Sequence, residues 1–290
     1  MKVSGFSFIR NAVRYDYPVV EAIQSVLPLC DEFVIAVGKS DDDTLGLIRG
    51  ISSPKIRIVE TVWDDSLRSG GAVLAQETNK AFNAVSDDAD WAFYIQGDEI
   101  LHEQYHDTVR REMLRWKDDS DVDGLLFHYR HFYGSYDYVG IAPWWYRNEI
   151  RIIRKNRNIY SYRDAQGFRK GENKKLNVKP IDAYIYHYGW VKHPKNMQQK
   201  INGFVRLYHD DARLEDNVAK ADEFDYSNID ALSRFDGTHP KVMTDRISRI
   251  NWKFDHDLKK TNLSLKYRFK MLVEKLTGYR IFEYKNYRII

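Results

Sequence analysis

The chain has 290 residues, 43% hydrophobic and 30% charged; that is enough apolar material for one large α/β domain or two smaller ones, and it excludes a disordered or low-complexity chain. A net charge of +3 excludes the strongly basic balance of a dedicated nucleic-acid binder. The single cysteine, Cys30, excludes an internal disulfide and a multi-cysteine zinc site, and no apolar run approaches the roughly 20 residues that span a bilayer.

Met1 to Arg14 carries polar residues throughout, so no secretory signal is expected and the chain is read as cytoplasmic. Val3 to Ile9 is a short run rich in β-branched and aromatic residues, read as a strand. Val19, Val20, Ile23, Val26 and Leu27 then recur at helical spacing, with Pro28 marking the end. Phe33 to Val37 is a second apolar strand, followed by the polar loop Gly38 to Asp43 and a helix from Thr44 to about Gly50. Ile56 to Val59 is a third strand. Ala72, Ala75, Asn79 and Phe82 share related faces of the next helix, and Trp91 to Ile95 is a fourth strand ending at Gln96-Gly97-Asp98-Glu99. Strands alternating with helices imply βαβ units and a mostly parallel sheet, covered on both faces because its strands are continuously apolar. Leu125 to Tyr129, Ile150 to Arg154 and Ala183 to Tyr188 read as further strands between aromatic loops, and from Asn196 the pattern turns helical. Residues 209–225 carry seven acids against Arg213 and Lys220, whereas residues 241–290 carry 13 Lys and Arg against 5 Asp and Glu.

Ligands of open α/β sheets bind beyond the carboxyl ends of the strands. Three polar clusters fall there: Arg10-Asn11, Ser40 to Thr44, and Gln96 to Glu99. Taken singly, Ser40 to Thr44 reads as a solvated loop with a helix cap, and Asp98-Glu99 as a loop or cap. An Asp at a strand end also suits Mg²⁺ or Mn²⁺, which take one or two carboxylates plus substrate phosphates.

The order of these clusters resembles the family 2 glycosyltransferases. Phe33 to Thr44 resembles that family's second-strand motif, an apolar strand followed by D-x-G-S-x-D-x-T. Ala75 to Ala81, Trp91 to Ile95 and Gln96-Gly97-Asp98-Glu99 resemble its helix-strand-D-x-D-E segment. Phe8-Ile9-Arg10-Asn11 is similar to its first-strand end, and Ile185-Tyr186-His187-Tyr188-Gly189 to its later H-Y-G strand end. The chain departs from the family at Gln96, which stands for the first motif Asp, at Val37 or a neighbouring residue, which replaces the nucleobase-contacting Asp, and at Thr78, where an Arg is common.

The resemblance implies a glycosyltransferase A fold: a mostly parallel nucleotide-binding sheet flanked by helices, over residues 1–195, with a helical region carrying a basic end over residues 196–290. It implies an inverting transfer from a nucleotide diphosphate sugar to a hydroxyl of a glycan or lipid-linked acceptor, in surface polysaccharide or lipid-linked glycan synthesis. Arg10, Asn11, Ser40, Asp42, Asn79, Gln96 and Gly97 would then bind the nucleotide sugar, and Asp98 and His187 a Mn²⁺ or Mg²⁺ ion. His187 reads equally as a core or capping histidine. A carboxylate would take the acceptor proton: Asp164 in Ser161 to Phe168 is the first choice, although an ion pair with Arg163 or Arg169 is its ordinary alternative, and Glu149 is the second.

The aromatic loop His128 to Tyr146 suits either a sugar-stacking platform or a core beneath the site. The basic tail, with Trp252, Phe254, Leu258, Leu263, Leu265, Phe269, Leu272 and Leu276 among its cations, suits either an anionic membrane surface or packing on the first domain; nucleic acid is not expected. Two rival readings are a nucleotidyltransferase, which would favour a Gly-rich phosphate loop where this chain has Arg10-Asn11-Ala12-Val13-Arg14, and a non-catalytic sugar- or nucleotide-binding protein.

Overall fold

Hydrophobic alternation sets the sheet. In the computed structural model, which describes residues 1–290 except 68–69, 156–157, 209–220, 230, 260 and the side chain of Arg206, the strands Val3–Ile9 (β1), Glu32–Gly38 (β2), Ile56–Thr61 (β3) and Trp91–Tyr94 (β4) lie in the order β4-β1-β2-β3, all parallel. Phe6, Val34, Ala36 and Tyr94 face one core, and Ile9, Phe33, Ile35, Val37 and Phe93 face the other. Period-two strands buried on both sides give two cores separated by one sheet. The expected acidic run over 209–225 lies for the most part outside the described residues.

The crossover helices are Val19–Val26 (α1), Thr44–Arg49 (α2) and Ala72–Ala84 (α3). In α1 the buried Val19, Ala22, Ile23 and Val26 recur at three- and four-residue spacing, so one stripe meets the sheet. α2 starts where the Asp43 carboxylate accepts the Gly46 N–H at 3.1 Å, a side-chain cap on an orphan donor.

The second half extends the sheet in mixed fashion. Glu99–Leu101 (β5), the helix His106–Trp116 (α4), Gly124–Tyr133 (β6), Tyr138–Gly140 (β7) and Asn148–Ile153 (β8) follow in sequence. β8 runs antiparallel between β4 and β6. Ile159–Tyr162 (β9), Gly167–Lys170 (β10) and Lys174–Lys175 (β11) form a separate antiparallel sheet. The long strand Asn177–Trp190 (β12) pairs in parallel with β6 and antiparallel with β5. Thus β1, β2, β3, β4, β6 and β12 point the same way, and their carboxyl ends share one edge. The expected class, α/β with a mostly parallel sheet flanked by helices, is the one observed.

Beyond residue 190 come the helix Pro194–Tyr208 (α5), the strand Leu232–Arg234 (β13), the helices Thr244–Ser248 (α6) and Leu265–Thr277 (α7), and the strand Arg288–Ile289 (β14). This region is therefore not helical alone: β13 pairs with β7, and β14 pairs in parallel with the start of β12. Among the described residues no helix is long and apolar enough to cross a membrane.

Candidate functional site

The shared edge opens into a cleft of about 880 Å³, lined from β1 by Arg10 and Asn11, from β4 by Gln96, Gly97 and Asp98, from β12 by His187 and Gly189, and closed by Lys200, Phe204 and Tyr208 of α5. Its size falls within the roughly 300–1,000 Å³ of small-molecule sites. A second cavity of about 500 Å³ adjoins it, and Tyr146, Asp164 and Gln166 line both.

Asp98 is the centre of the first cleft. It is 7% exposed. Burial alone would raise its pKa, but the Lys200 ammonium outweighs that and holds the carboxyl well below its usual range. Lys200 Nζ donates to Asp98 Oδ2 at 3.0 Å and to the Gly189 carbonyl at 3.0 Å. His187 arrives beside it because β12 is in register with β5, pairing His187 with Glu99, and because the Tyr188 N–H donates to the Asp98 carbonyl at 2.8 Å.

The tautomer of His187 follows from its neighbour. His131 Nε2 donates to the Tyr146 carbonyl at 2.7 Å, which leaves its Nδ1 as an acceptor 3.1 Å from His187 Nδ1. His187 therefore carries its proton on Nδ1 and turns the Nε2 lone pair toward Asp98. Burial keeps both rings neutral, pushing both imidazole pKa values down, and well down for His131.

The donor set of Asp98 and His187 fits a hard divalent cation. His187 Nε2 and Asp98 Oδ1, two electron-pair donors, face each other at 3.8 Å. The chain keeps space open between them: a Cβ on Gly189 would lie 2.6 Å from His187 Nε2 and 2.8 Å from Asp98 Oδ2. Among the described residues no trio of His, Cys, Asp or Glu could hold an ion unaided, so substrate oxygens would have to complete such a site, as is usual for Mg²⁺.

The other expected residues divide. Arg10 lines the cleft, ion-paired with Asp65 at 2.8 Å and set over the Trp63 ring. Asn11, at φ 54°, turns the chain at the end of β1 and accepts the Asp41 N–H at 2.8 Å. Ser40 and Asp42 do not line the cleft. Ser40 Oγ accepts the Asn11 N–H at 3.0 Å, and Asp42 accepts the Arg14 N–H at 2.7 Å and the Thr44 N–H at 3.0 Å, so both latch the loop after β2 to the end of β1. Asn79 is likewise structural: its amide exchanges hydrogen bonds of 2.9 and 2.7 Å with the backbone of Ser161, pinning α3 to β9. Gln96 lines the cleft, but its amide is held by the Tyr94 hydroxyl and the Ala165 carbonyl, each at 3.2 Å.

Asp164 stands at the boundary of the two cavities. Its neighbours Arg163 and Ala165 have φ of 55° and 62°, left-handed conformations that a non-glycine chain adopts at a cost and that fix the turn. The Asp164 carboxylate is accompanied by Tyr208, whose hydroxyl pKa is raised by burial and by Asp164. Neither expected arginine pairs with it: Arg163 lies over Tyr162 and Arg169 is tied to Asn286. Glu149 lies in the second cavity, 3% exposed, with Oε2 lacking a hydrogen-bond partner. Burial pushes its carboxyl up to about 8.

Sequence reasoning gave Glu99 only as a loop or cap residue and passed over Lys192. Glu99, beneath Asp98, is fully buried and takes a two-pronged ion pair from Arg151 at 2.6 and 2.8 Å, a pairing that fixes orientation. Lys192, fully buried, donates to the Asp16 carbonyl at 2.6 Å and is pushed down to about 7 by burial. In the aromatic loop Phe132, Tyr133, Tyr136 and Tyr138 are core. Trp145 stacks on His131 at 4.8 Å, and Trp144, 43% exposed, lines the second cavity.

No protein-family profile matches the sequence, and no curated protein matches it. Several solved structures are similar to it. TarS from S. aureus has 13% identity and a TM-score of 0.43, over 76% of this chain and 42% of that chain. The chain thus spans less than half the length of TarS. Glucosyl-3-phosphoglycerate synthase from Mycobacterium tuberculosis, solved with Mn²⁺, uridine diphosphate and phosphoglyceric acid, has 21% identity and a TM-score of 0.30, over 46% of this chain and 43% of that chain. 4-Diphosphocytidyl-2C-methyl-D-erythritol synthase from Anaerococcus prevotii has 13% identity and a TM-score of 0.39, over 70% of this chain and 94% of that chain. At these identities and scores the likenesses say nothing about ligand or reaction.

Proposed function

We propose that the chain is a glycosyltransferase that moves a sugar, with inversion, from a nucleotide diphosphate sugar to an acceptor hydroxyl in surface polysaccharide or lipid-linked glycan synthesis. The observation that carries this reading is the pairing of Asp98 and His187 at the strand ends, with Asp164 facing the same cleft from its junction with a second cavity. The donor would occupy the first cleft, its diphosphate near Lys200 and Arg10, and the acceptor would enter through the second. Motif resemblance in the sequence points the same way.

In the reaction, Asp164 accepts the proton of the acceptor hydroxyl while that oxygen bonds to the anomeric carbon. The bond from that carbon to the diphosphate oxygen breaks, and the leaving diphosphate carries the electron pair away. A Mn²⁺ or Mg²⁺ ion, held by Asp98, His187 and the diphosphate, would supply positive charge at the leaving oxygens. Lys200 adds an ammonium on the same side. Glu149 is the weaker candidate base, since a carboxyl pushed up to about 8 keeps its proton at neutral pH.

A screen of nucleotide sugars for donor hydrolysis with Mn²⁺ present tests this reading. Hydrolysis of one of them that is lost in Asp98→Asn is the expected outcome. Metal-independent thermal stabilisation by free glycan, without turnover of any donor, would replace it with a binding protein.

A further inference from the structure

Helix α7 turns its apolar side outward. Leu265, Phe269, Leu272 and Leu276 recur at four-, three- and four-residue spacing and so form one stripe, and they are 84%, 60%, 54% and 75% exposed. The opposite side meets the protein through Tyr267 and Met271, which pack on the core beside β7, and through Glu274, which pairs with Arg147 at 3.1 Å and Arg280 at 2.8 Å. A surface helix normally buries its hydrocarbon and hydrates its charge. Here the only acid of the helix faces inward and the leucines face out. Lys266, Arg268 and Lys275 flank the stripe, and Phe282, 86% exposed, lies with its ring centre 5.6 Å from Lys270 Nζ.

We propose that this face docks on an anionic bilayer. The helix would lie in the interface, the stripe at the acyl boundary and the flanking cations among the head groups. Charge favours that occupant: residues 241–290 carry 13 Lys and Arg against 5 Asp and Glu, and cations near an anionic surface add to the attraction. A second copy fits less well, because two-fold pairing of the stripes would bring the basic flanks together with no acid on the exposed face to answer them. The inference rests on this surface and does not require the proposed reaction.

Co-sedimentation of the full chain with phosphatidylcholine vesicles, with and without about a quarter phosphatidylglycerol, tests the proposal. Binding is expected only with the anionic lipid, weakening as salt rises. Phe269→Asp and Leu276→Asp should each weaken it by about tenfold or more, since each removes a buried apolar side chain from the interface. Both positions are exposed, so the circular dichroism melt should not change. Absence of binding, binding without need of phosphatidylglycerol, or full binding by both variants would overturn the proposal. So would a concentration-dependent dimer abolished by the same two substitutions, which would assign the stripe to a second copy.

Discussion

Lys200 Nζ donates to Asp98 Oδ2 across 3.0 Å, although the two residues stand 102 positions apart. The pair ties α5, the helix that closes the cleft, to the strand end at the cleft floor. It also leaves Asp98 Oδ1 turned toward His187. Lys200→Met keeps the aliphatic stem and removes the charge, leaving a buried carboxylate without its main partner. We expect a loss of about 3 kcal/mol in stability and at least about tenfold weaker binding of a nucleoside diphosphate. Calorimetry with uridine diphosphate and guanosine diphosphate measures both; wild-type affinity in the variant would remove Lys200 from the site.

Gly189 guards the space between His187 and Asp98. Its substitution by Ala would set a methyl group 2.6 Å from His187 Nε2, and the imidazole, held at Nδ1 by His131, cannot retreat without breaking that bond. Gly189→Ala should therefore abolish stabilisation by Mn²⁺ plus nucleoside diphosphate while lowering the melting temperature by only a few degrees, about 1 kcal/mol. Thermal shift with and without Mn²⁺ reads both quantities, and an unimpaired metal response would disconnect the pair from cation binding.

Asp164→Asn should lower turnover by roughly a hundred- to ten-thousandfold, the usual range for a proton-transfer group. Donor affinity should stay nearly unchanged, because a base acts in the transition state. Steady-state kinetics with a competent donor separate the two effects. A rise in donor KM with kcat intact would reassign Asp164 to binding.

Glu149 gives the fold a pH dependence. In the unfolded chain its carboxyl ionises near the ordinary 4.5; in the folded chain burial raises that to about 8. Between these values the unfolded state binds fewer protons, so stability falls with rising pH, by at most about 1.4 kcal/mol per unit. The contribution is full below the ordinary value and gone above about 8. Glu149→Gln should flatten this slope, and denaturant melts across the interval would show it; an unchanged slope would mean that Glu149 is ionised in the folded protein.

The strands and crossover helices were legible because continuous apolar runs and helical spacing are local signals. β1 begins and ends where the Val3 to Ile9 run does, and α3 covers the expected Ala72 to Phe82. The strand-end clusters also came together, but chemical type could not separate a cleft residue from a latch. Ser40, Asp42 and Asn79 are polar and correctly placed along the chain, yet their hydrogen-bonding groups are taken by neighbouring backbone. Lys200 carried no local signal, since only the docking of α5 brings it to Asp98. His131 was read only as part of the aromatic loop, and its parallel pairing with His187 brings it to the site. The outward stripe of α7 looked the same in sequence as a buried one, and the partners of Glu274 decide which way it faces.

β12 joins the far parts of the molecule. Its first residues pair with β14, its middle with β6 and β5, and its end presents His187. Side chains alternate faces along a strand, so a slip of one residue would exchange His187 for Tyr188. Irregular steps between Pro180 and Tyr184 and between His187 and Trp190 act as detents against such sliding. Trimming the last three residues would thus loosen the start of the strand, and the detent between Pro180 and Tyr184 would keep that damage from reaching the aim of the imidazole.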